Sequence, residues 1–155
     1  MKINLIVIGK KMPDWIQTGI HHYQKQLPAS LNFNLIILEA QKYKGKNSEH
    51  IKELEGELLI KATKGSNLII AFDERDKQHS TKSMTHFLSN WQKNGDHVAL
   101  LIGGADGLSE SVKNIAHQLW GLSNLTLPHA FARLLAVEQI YRAHSLLTNH
   151  PYHRE

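Results

Sequence analysis

The residues able to do chemistry concentrate in the last third of the chain, positions 100–155, where two loops and a tail could bind a ligand and a polyanion. The first loop is Gly103-Gly104-Ala105-Asp106-Gly107, entered from an apolar run at 98–102. Its glycines let the main chain take φ > 0 and let a ligand approach the backbone closely. The helix that follows adds oriented N–H donors. The spacing is not the G-x-G-x-x-G dinucleotide fingerprint, nor is it a P-loop, because no Lys-Ser/Thr pair follows. A tight structural turn is the alternative for the same residues.

The second loop reads Leu122-Ser123-Asn124-Leu125-Thr126-Leu127-Pro128-His129. Pro128 drives Leu127 out of helical geometry. The backbone there should be extended, with N–H and C=O groups free to read a purine edge and leucines as apolar walls. An ordinary loop before a helix is the alternative. His129, at the helix start, could cap it or touch a substrate. In the tail, His150-Pro151-Tyr152-His153-Arg154, an aromatic can stack on an unpaired base and an arginine can clamp a phosphate; a frayed terminus has the same composition. Gly9-Lys10-Lys11 lacks a glycine cradle and reads as the basic rim of a sheet. The 11 histidines include no His-Glu-x-x-His, and the His21-His22 pair points to two faces of a helix, so no metal site is expected.

These groups need a scaffold, and the apolar pattern supplies one. Strands are predicted at 2–9, 33–38, 68–72 and 97–102, with a less regular fifth at 121–127. Between them, Pro13 opens a helix that ends by Pro28, Ser48 can cap a helix at 50–64, and Ser80 or Thr81 can cap one reaching Lys93, closed by Gly95. Ser109 begins the next helix, with Glu110 complementing its dipole, and 129–147 is the last. Continuous Val, Ile and Leu strands separated by helices imply an α/β fold, a mostly parallel sheet with helices on both faces. Such sheets hold ligands at loops leaving the carboxyl ends of neighbouring strands, where both loops lie. In the last helix Phe131, Leu134, Leu135, Val137, Ile140, Tyr141, Leu146 and Leu147 occupy more than one face. Either the helix is sunk in its own core, or one face meets a second subunit.

The bulk numbers bound the class. A chain of 155 residues fits one domain, 1–155, and buries about 70% of its unfolded surface. With 18 Lys and Arg against 14 Asp and Glu, the net charge of +4 favours an anionic partner. The absence of cysteine excludes a disulfide frame, a thiolate nucleophile and a Cys-type zinc site. No signal peptide or membrane span is legible, so a cytoplasmic location and no membrane partner are expected.

Several stretches together carry a resemblance. Leu101-Ile102-Gly103-Gly104 through Gly107, the 122–129 loop, Glu138-Gln139-Ile140-Tyr141-Arg142-Ala143 and the terminal 149–154 resemble the RlmH family of SPOUT-class RNA methyltransferases. Lys11-Met12-Pro13-Asp14-Trp15 and Lys44-Gly45-Lys46-Asn47 extend the resemblance over the whole chain. Each stretch is weak alone; their common order is specific. The resemblance implies a SPOUT-type fold with a C-terminal trefoil knot, where pattern alone gives an open Rossmann-like sheet. It implies a homodimer that moves a methyl group from S-adenosylmethionine to N3 of a pseudouridine in a 23S rRNA stem-loop, on the assembled ribosome.

The family's cofactor positions fall on Phe72, Gly103 and Leu122, Ser123, Asn124, Leu125, Thr126 and Leu127, to which the glycine turn adds Gly104. Position 72 is commonly leucine in the family, so Phe72 is a departure that keeps an apolar wall but narrows the pocket. His129 at the pocket edge, with His153 or Arg154 from a partner's tail, are the catalytic candidates. Lys10, Lys11, Lys44, Lys46, Arg133 and Arg142 are expected on RNA phosphates, and Tyr152 on a base. Two rivals are a non-catalytic ribosome-binding factor, which needs only the basic surface, and a nucleotide-dependent enzyme with a small substrate, which would ignore RNA.

Overall fold

The strands form where aliphatic residues run without interruption. In the computed structural model, which describes residues 1–9, 12–39, 45 and 47–154, they are β1 (Lys2–Ile8), β2 (Phe33–Leu38), β3 (Leu68–Phe72), β4 (His97–Ile102) and β5 (Gln118–Trp120). They make one sheet in the order β2-β1-β4-β3-β5, and every pairing is parallel. Phe72, the last residue of β3, stands opposite Ile102 on one side and Trp120 on the other. The carboxyl ends of β3, β4 and β5 are therefore level, and the loops leaving them share one edge.

Five helices cover both faces: α1 (Asp14–Gln24), α2 (Ser48–Ala62), α3 (Thr81–Asn94), α4 (Glu110–Ile115) and α5 (His129–Leu147). Alternate side chains of the strands feed two cores. Ile3, Leu5, Val7, Val98, Leu100 and Ile102 pack with Ile16 and Ile20 of α1, Leu88 and Trp91 of α3, and Val137 and Ile140 of α5. Ile6, Ile8, Ala99 and Leu101 pack on the opposite face with Leu59 of α2 and Val112 of α4. Double-sided burial explains why these strands read as continuous apolar runs rather than alternating ones.

Ser80 and Ser109 cap α3 and α4, each hydroxyl accepting from the backbone N–H three residues on. Gly95 ends α3 at φ 67°, a left-handed conformation that suits glycine. The cap of α2 is Asn47, whose Oδ1 accepts from His50 N at 2.9 Å, and not Ser48 as expected. Asn47 has the extended backbone a cap requires, whereas Ser48 is already helical.

The fifth strand also departs from expectation. It lies at Gln118–Trp120, and 121–128 is a loop. The cause is a close crossing of chains. Gly121 N donates to Lys77 O at 2.9 Å, and a Cβ on Gly121 would stand 2.6 Å from Asp76 O. Gly121 pairs with Gln78 in one isolated parallel bridge, and no strand continues beyond it. Leu122, Leu125 and Leu127, which suggested the strand, are pocket walls instead.

In α5, Ala136, Val137, Ile140 and Tyr141 are buried in the chain's own core, but Phe131 and Leu147 stay exposed. Phe131 meets the exposed Trp15 edge-on at 5.5 Å. The buried face is the first of the two expected alternatives, a helix set in its own core. Among the described residues no helix is long and apolar enough to cross a membrane, and no three His, Cys, Asp or Glu groups converge as a metal site would need.

Trp120 locks the short β5 into the first core. It is 2% exposed and its ring lies 4.8 Å from Phe87, 4.9 Å from His79 and 6.1 Å from both Phe72 and Trp91. Trp120→Ala should lower unfolding stability by about 3–5 kcal/mol, measured by urea denaturation. A loss below about 1 kcal/mol would mean that β5 does not depend on this cluster.

Candidate functional site

Three loops leaving β3, β4 and β5 enclose a cavity of about 440 Å³, within the range of small-ligand sites. The β4 loop contributes 103–107, folded back by a hydrogen bond from Gly107 N to Gly104 O at 3.0 Å. Gly103 must be glycine here, because a Cβ would stand 2.9 Å from Gly107 O and 3.0 Å from Leu108 Cδ2. Leu122, Ser123, Leu125, Thr126 and Leu127 come from the loop after β5, and Phe72 from the end of β3. Of the expected cofactor residues only Asn124 is not on the wall. Its side chain faces away and accepts from the Gln78 amide, which ties the β5 loop to the β3 loop.

The β3 loop adds groups that the search for glycine and leucine patterns missed. Asp73, Glu74 and Arg75 line the cavity, with Lys52 of α2 and Lys113 of α4. Lys113 Nζ lies 3.2 Å from Asp73 Oδ2, and Arg75 N donates to Asp73 Oδ1 at 3.0 Å. Burial alone would raise the Asp73 carboxyl, but the Arg75 hydrogen bond and Lys113 outweigh it and hold the carboxyl below its ordinary value. The legible signal was position: a charged run at 73–79 directly after an apolar strand.

His129 sits at the cavity rim, on the first residue of α5. Burial first, and then the Arg133 charge, lower its pKa, against an opposing pull from Glu74. Arg133 is not on the surface as a phosphate contact would require. It is 3% exposed, and its Nη2 donates to Ile8 O at 2.6 Å, pinning α5 to the carboxyl end of β1. Its aliphatic stem and helix position carry it inward; the acceptor it finds is a backbone carbonyl distant in sequence.

The tail folds onto its own chain. Tyr152 Oη is 3.0 Å from Glu138 Oε1 and 3.1 Å from Tyr23 Oη, and its ring meets Tyr141 edge-on at 4.6 Å. Burial and these contacts raise the Tyr152 phenol above its ordinary value. Arg142 is committed as well, with Nη2 2.6 Å from Glu138 Oε1 and its guanidinium 4.7 Å over the Tyr152 ring. His153 Nδ1 lies 3.1 Å from Arg142 Nη1. Tyr152 and Arg142 thus engage each other within the chain, and neither His153 nor Arg154 lines the cavity beside His129. Lys10, Lys11, Lys44 and Lys46 lie outside the described residues.

Glu55 of α2 is buried beneath the glycine turn, at the place a side chain on Gly104 would occupy. Burial, and then the Asp106 charge, push its carboxyl above the ordinary value. A carboxyl raised by folding binds its proton more tightly in the native state, so stability falls as pH rises from the ordinary value of 4.5 through the folded one. Glu55→Gln should therefore melt higher than the parent at pH 7–8, with the gap closing below about pH 4. Thermal scans across pH measure this; a gap independent of pH would remove Glu55 as its source.

Comparison with known proteins places this geometry. The model of a family described as predicted SPOUT methyltransferase matches residues 1–153. Among solved structures, a probable methyltransferase from Bordetella pertussis Tohama I is similar at TM-score 0.57 and 12% identity, over 91% of this chain and 93% of that one. TrmJ from Z. mobilis ZM4 aligns at TM-score 0.56 and 11% identity, over 90% and 69%. A probable methylase family protein from Haemophilus influenzae Rd KW20 gives 0.57 and 15%, over 95% and 66%. At these identities the structures speak for the fold alone.

Proposed function

Because the chain belongs to the SPOUT methyltransferase family, we propose that its cavity holds S-adenosylmethionine and that it methylates N3 of a pseudouridine in a 23S rRNA stem-loop, on the assembled ribosome. The observation that carries this reading is the joint wall of the cavity. A glycine turn, a leucine-rich loop and Phe72 meet there at level strand ends. The residues suit the cofactor. Leu122, Leu125, Leu127 and Phe72 offer apolar faces to an adenine, the irregular 122–127 backbone offers donors and acceptors to its edge, and Asp73, Lys52 and Lys113 offer polar groups to the remainder. A non-catalytic ribosome-binding factor would have no use for such a cavity. The similarity to the RlmH family adds a homodimer and a trefoil knot, and the exposed Phe131 and Trp15 are apolar residues a second copy would cover.

When bound, S-adenosylmethionine supplies a methyl group already activated on a sulfonium. The chain's task is then positioning, worth up to about 7–11 kcal/mol, and removal of the N3 proton, worth about 100- to 10,000-fold. His129 fits the second task. Its lowered pKa, set by burial and Arg133, keeps the imidazole neutral near pH 7, so a ring nitrogen can accept the proton. Arg154 suits the anion that develops at N3, since a guanidinium stays protonated. Within one chain the tail docks on α5 and α1, so in this reading Arg154 and His153 reach the site from the partner subunit's tail. The expected RNA contacts Arg133 and Arg142 are already engaged, with Ile8 O and Glu138. In this reading Arg133 acts through His129 rather than on a phosphate.

The test is methyl transfer from radiolabelled S-adenosylmethionine with assembled ribosomes, free subunits and naked 23S RNA in parallel. Label should enter RNA from ribosomes, and His129→Asn should slow single turnover by about 100-fold or more. The acid limb of the wild-type rate should inflect below the ordinary histidine value of about 6.5. Label in no substrate, despite cofactor binding by calorimetry, would sink the RNA target. An acid limb unchanged in His129→Asn would remove His129 as the base.

A further inference from the structure

A second cavity, of about 670 Å³, lies between α3 and the C-terminal end of α5 and shares no lining residue with the first. One wall is α3, where Lys82, His86, Ser89 and Lys93 recur every three or four residues and so share a helix face. The other is Leu146 and Leu147, with His153 of the tail alongside. Hydroxyls of Ser80, Thr81 and Thr85 complete it, and no carboxylate is among the described lining residues. Nor does the 14-residue sequence of α3 contain an acidic residue. Lys82 and Lys93 have no carboxylate partner within ion-pair distance among the described residues. Eleven positions apart on a helix, they are separated by about 16 Å.

We infer that this groove binds the phosphate backbone of RNA, as a docking site separate from the cofactor cavity. The inference rests on the RNA reading above and extends it to a surface that reading does not use. Two ammonium groups flanking imidazoles and hydroxyls match a chain of anions, because each neutralised phosphate releases condensed counterions. The Thr81 and Thr85 hydroxyls already donate to Gln139 Oε1 and Thr81 O, so the serine hydroxyls of the lining, Ser80 and Ser89, are the ones to donate to phosphate oxygens. Leu146 and Leu147 give an apolar surface to the faces of unstacked bases. A second copy of the chain is the less suitable occupant. It also carries a net charge of +4, and a groove without carboxylates offers its cations nothing to pair with.

The test is fluorescence anisotropy of a fluorescein-labelled RNA stem-loop across a salt series. It compares the full-length protein with Lys82→Ala/Lys93→Ala and, as a control, Lys25→Ala/Lys61→Ala, whose lysines are exposed on α2 and just after α1. The groove variant should lose about 1.4–1.8 from the log–log salt slope, with S-adenosylmethionine affinity and sedimentation mass unchanged; the control should keep the wild-type slope. An unaltered slope in the groove variant, or an equal loss in the control, would overturn the groove while leaving the RNA reading in place. A change in sedimentation mass with an unaltered slope would assign the groove to a second copy of the chain. Absence of any salt-dependent affinity of the wild type for the stem-loop would overturn the groove, while the methyl-transfer assay on ribosomes decides the RNA reading separately.

Discussion

The site depends on how closely the segment after β3 crosses the end of β5. Asp73 N donates to Trp120 O at 2.8 Å and Gly121 N to Lys77 O at 2.9 Å, so backbone pairing continues past the last named strand residues. This approach is open only because position 121 has no side chain. β5 itself is three residues long, and the loop that follows Gly121 lines the cavity together with the glycine turn after β4. A longer β5 would have used the same leucines as strand residues. Here a constraint on backbone packing converts apolar side chains from core to pocket wall.

A second tie works from the other direction. Arg133 reaches from α5 to the Ile8 carbonyl across the sheet edge and is the long-range anchor of the helix whose first residue is His129. Burying a guanidinium against a neutral acceptor costs stability, and its charge adds to burial in depressing the His129 imidazole. The same contact therefore fixes the rim of the cavity and tunes the group on it. The tail shows the opposite economy: Glu138, Arg142, Tyr23 and Tyr152 satisfy one another, which keeps the terminus against its own chain and aligns His153 with the α3 groove.

What could be read from sequence divides along these lines. β3, β4 and α5 fall at the expected residues, because uninterrupted aliphatic runs and a proline-led helix start are local signals. The two loops that line the cavity were legible for a related reason, since glycines and a proline mark chain that regular structure does not use. β5 was not, because three residues carry no periodicity and its leucine-rich neighbour gave a false one. The inward course of Arg133 and the Asp73–Lys113 pair were hidden too: their partners lie far away in sequence, and only the sheet order brings them together. The α3 stripe was visible as residues but had no meaning until α5 and the tail supplied the facing wall.

Amide hydrogen exchange with and without S-adenosylmethionine would test most directly whether these loops are the cofactor site. The account predicts new protection at 103–107 and 122–127, where a bound cofactor would cover the backbone, and none along α3. Protection confined to other segments, or exchange unchanged at saturating cofactor, would contradict it.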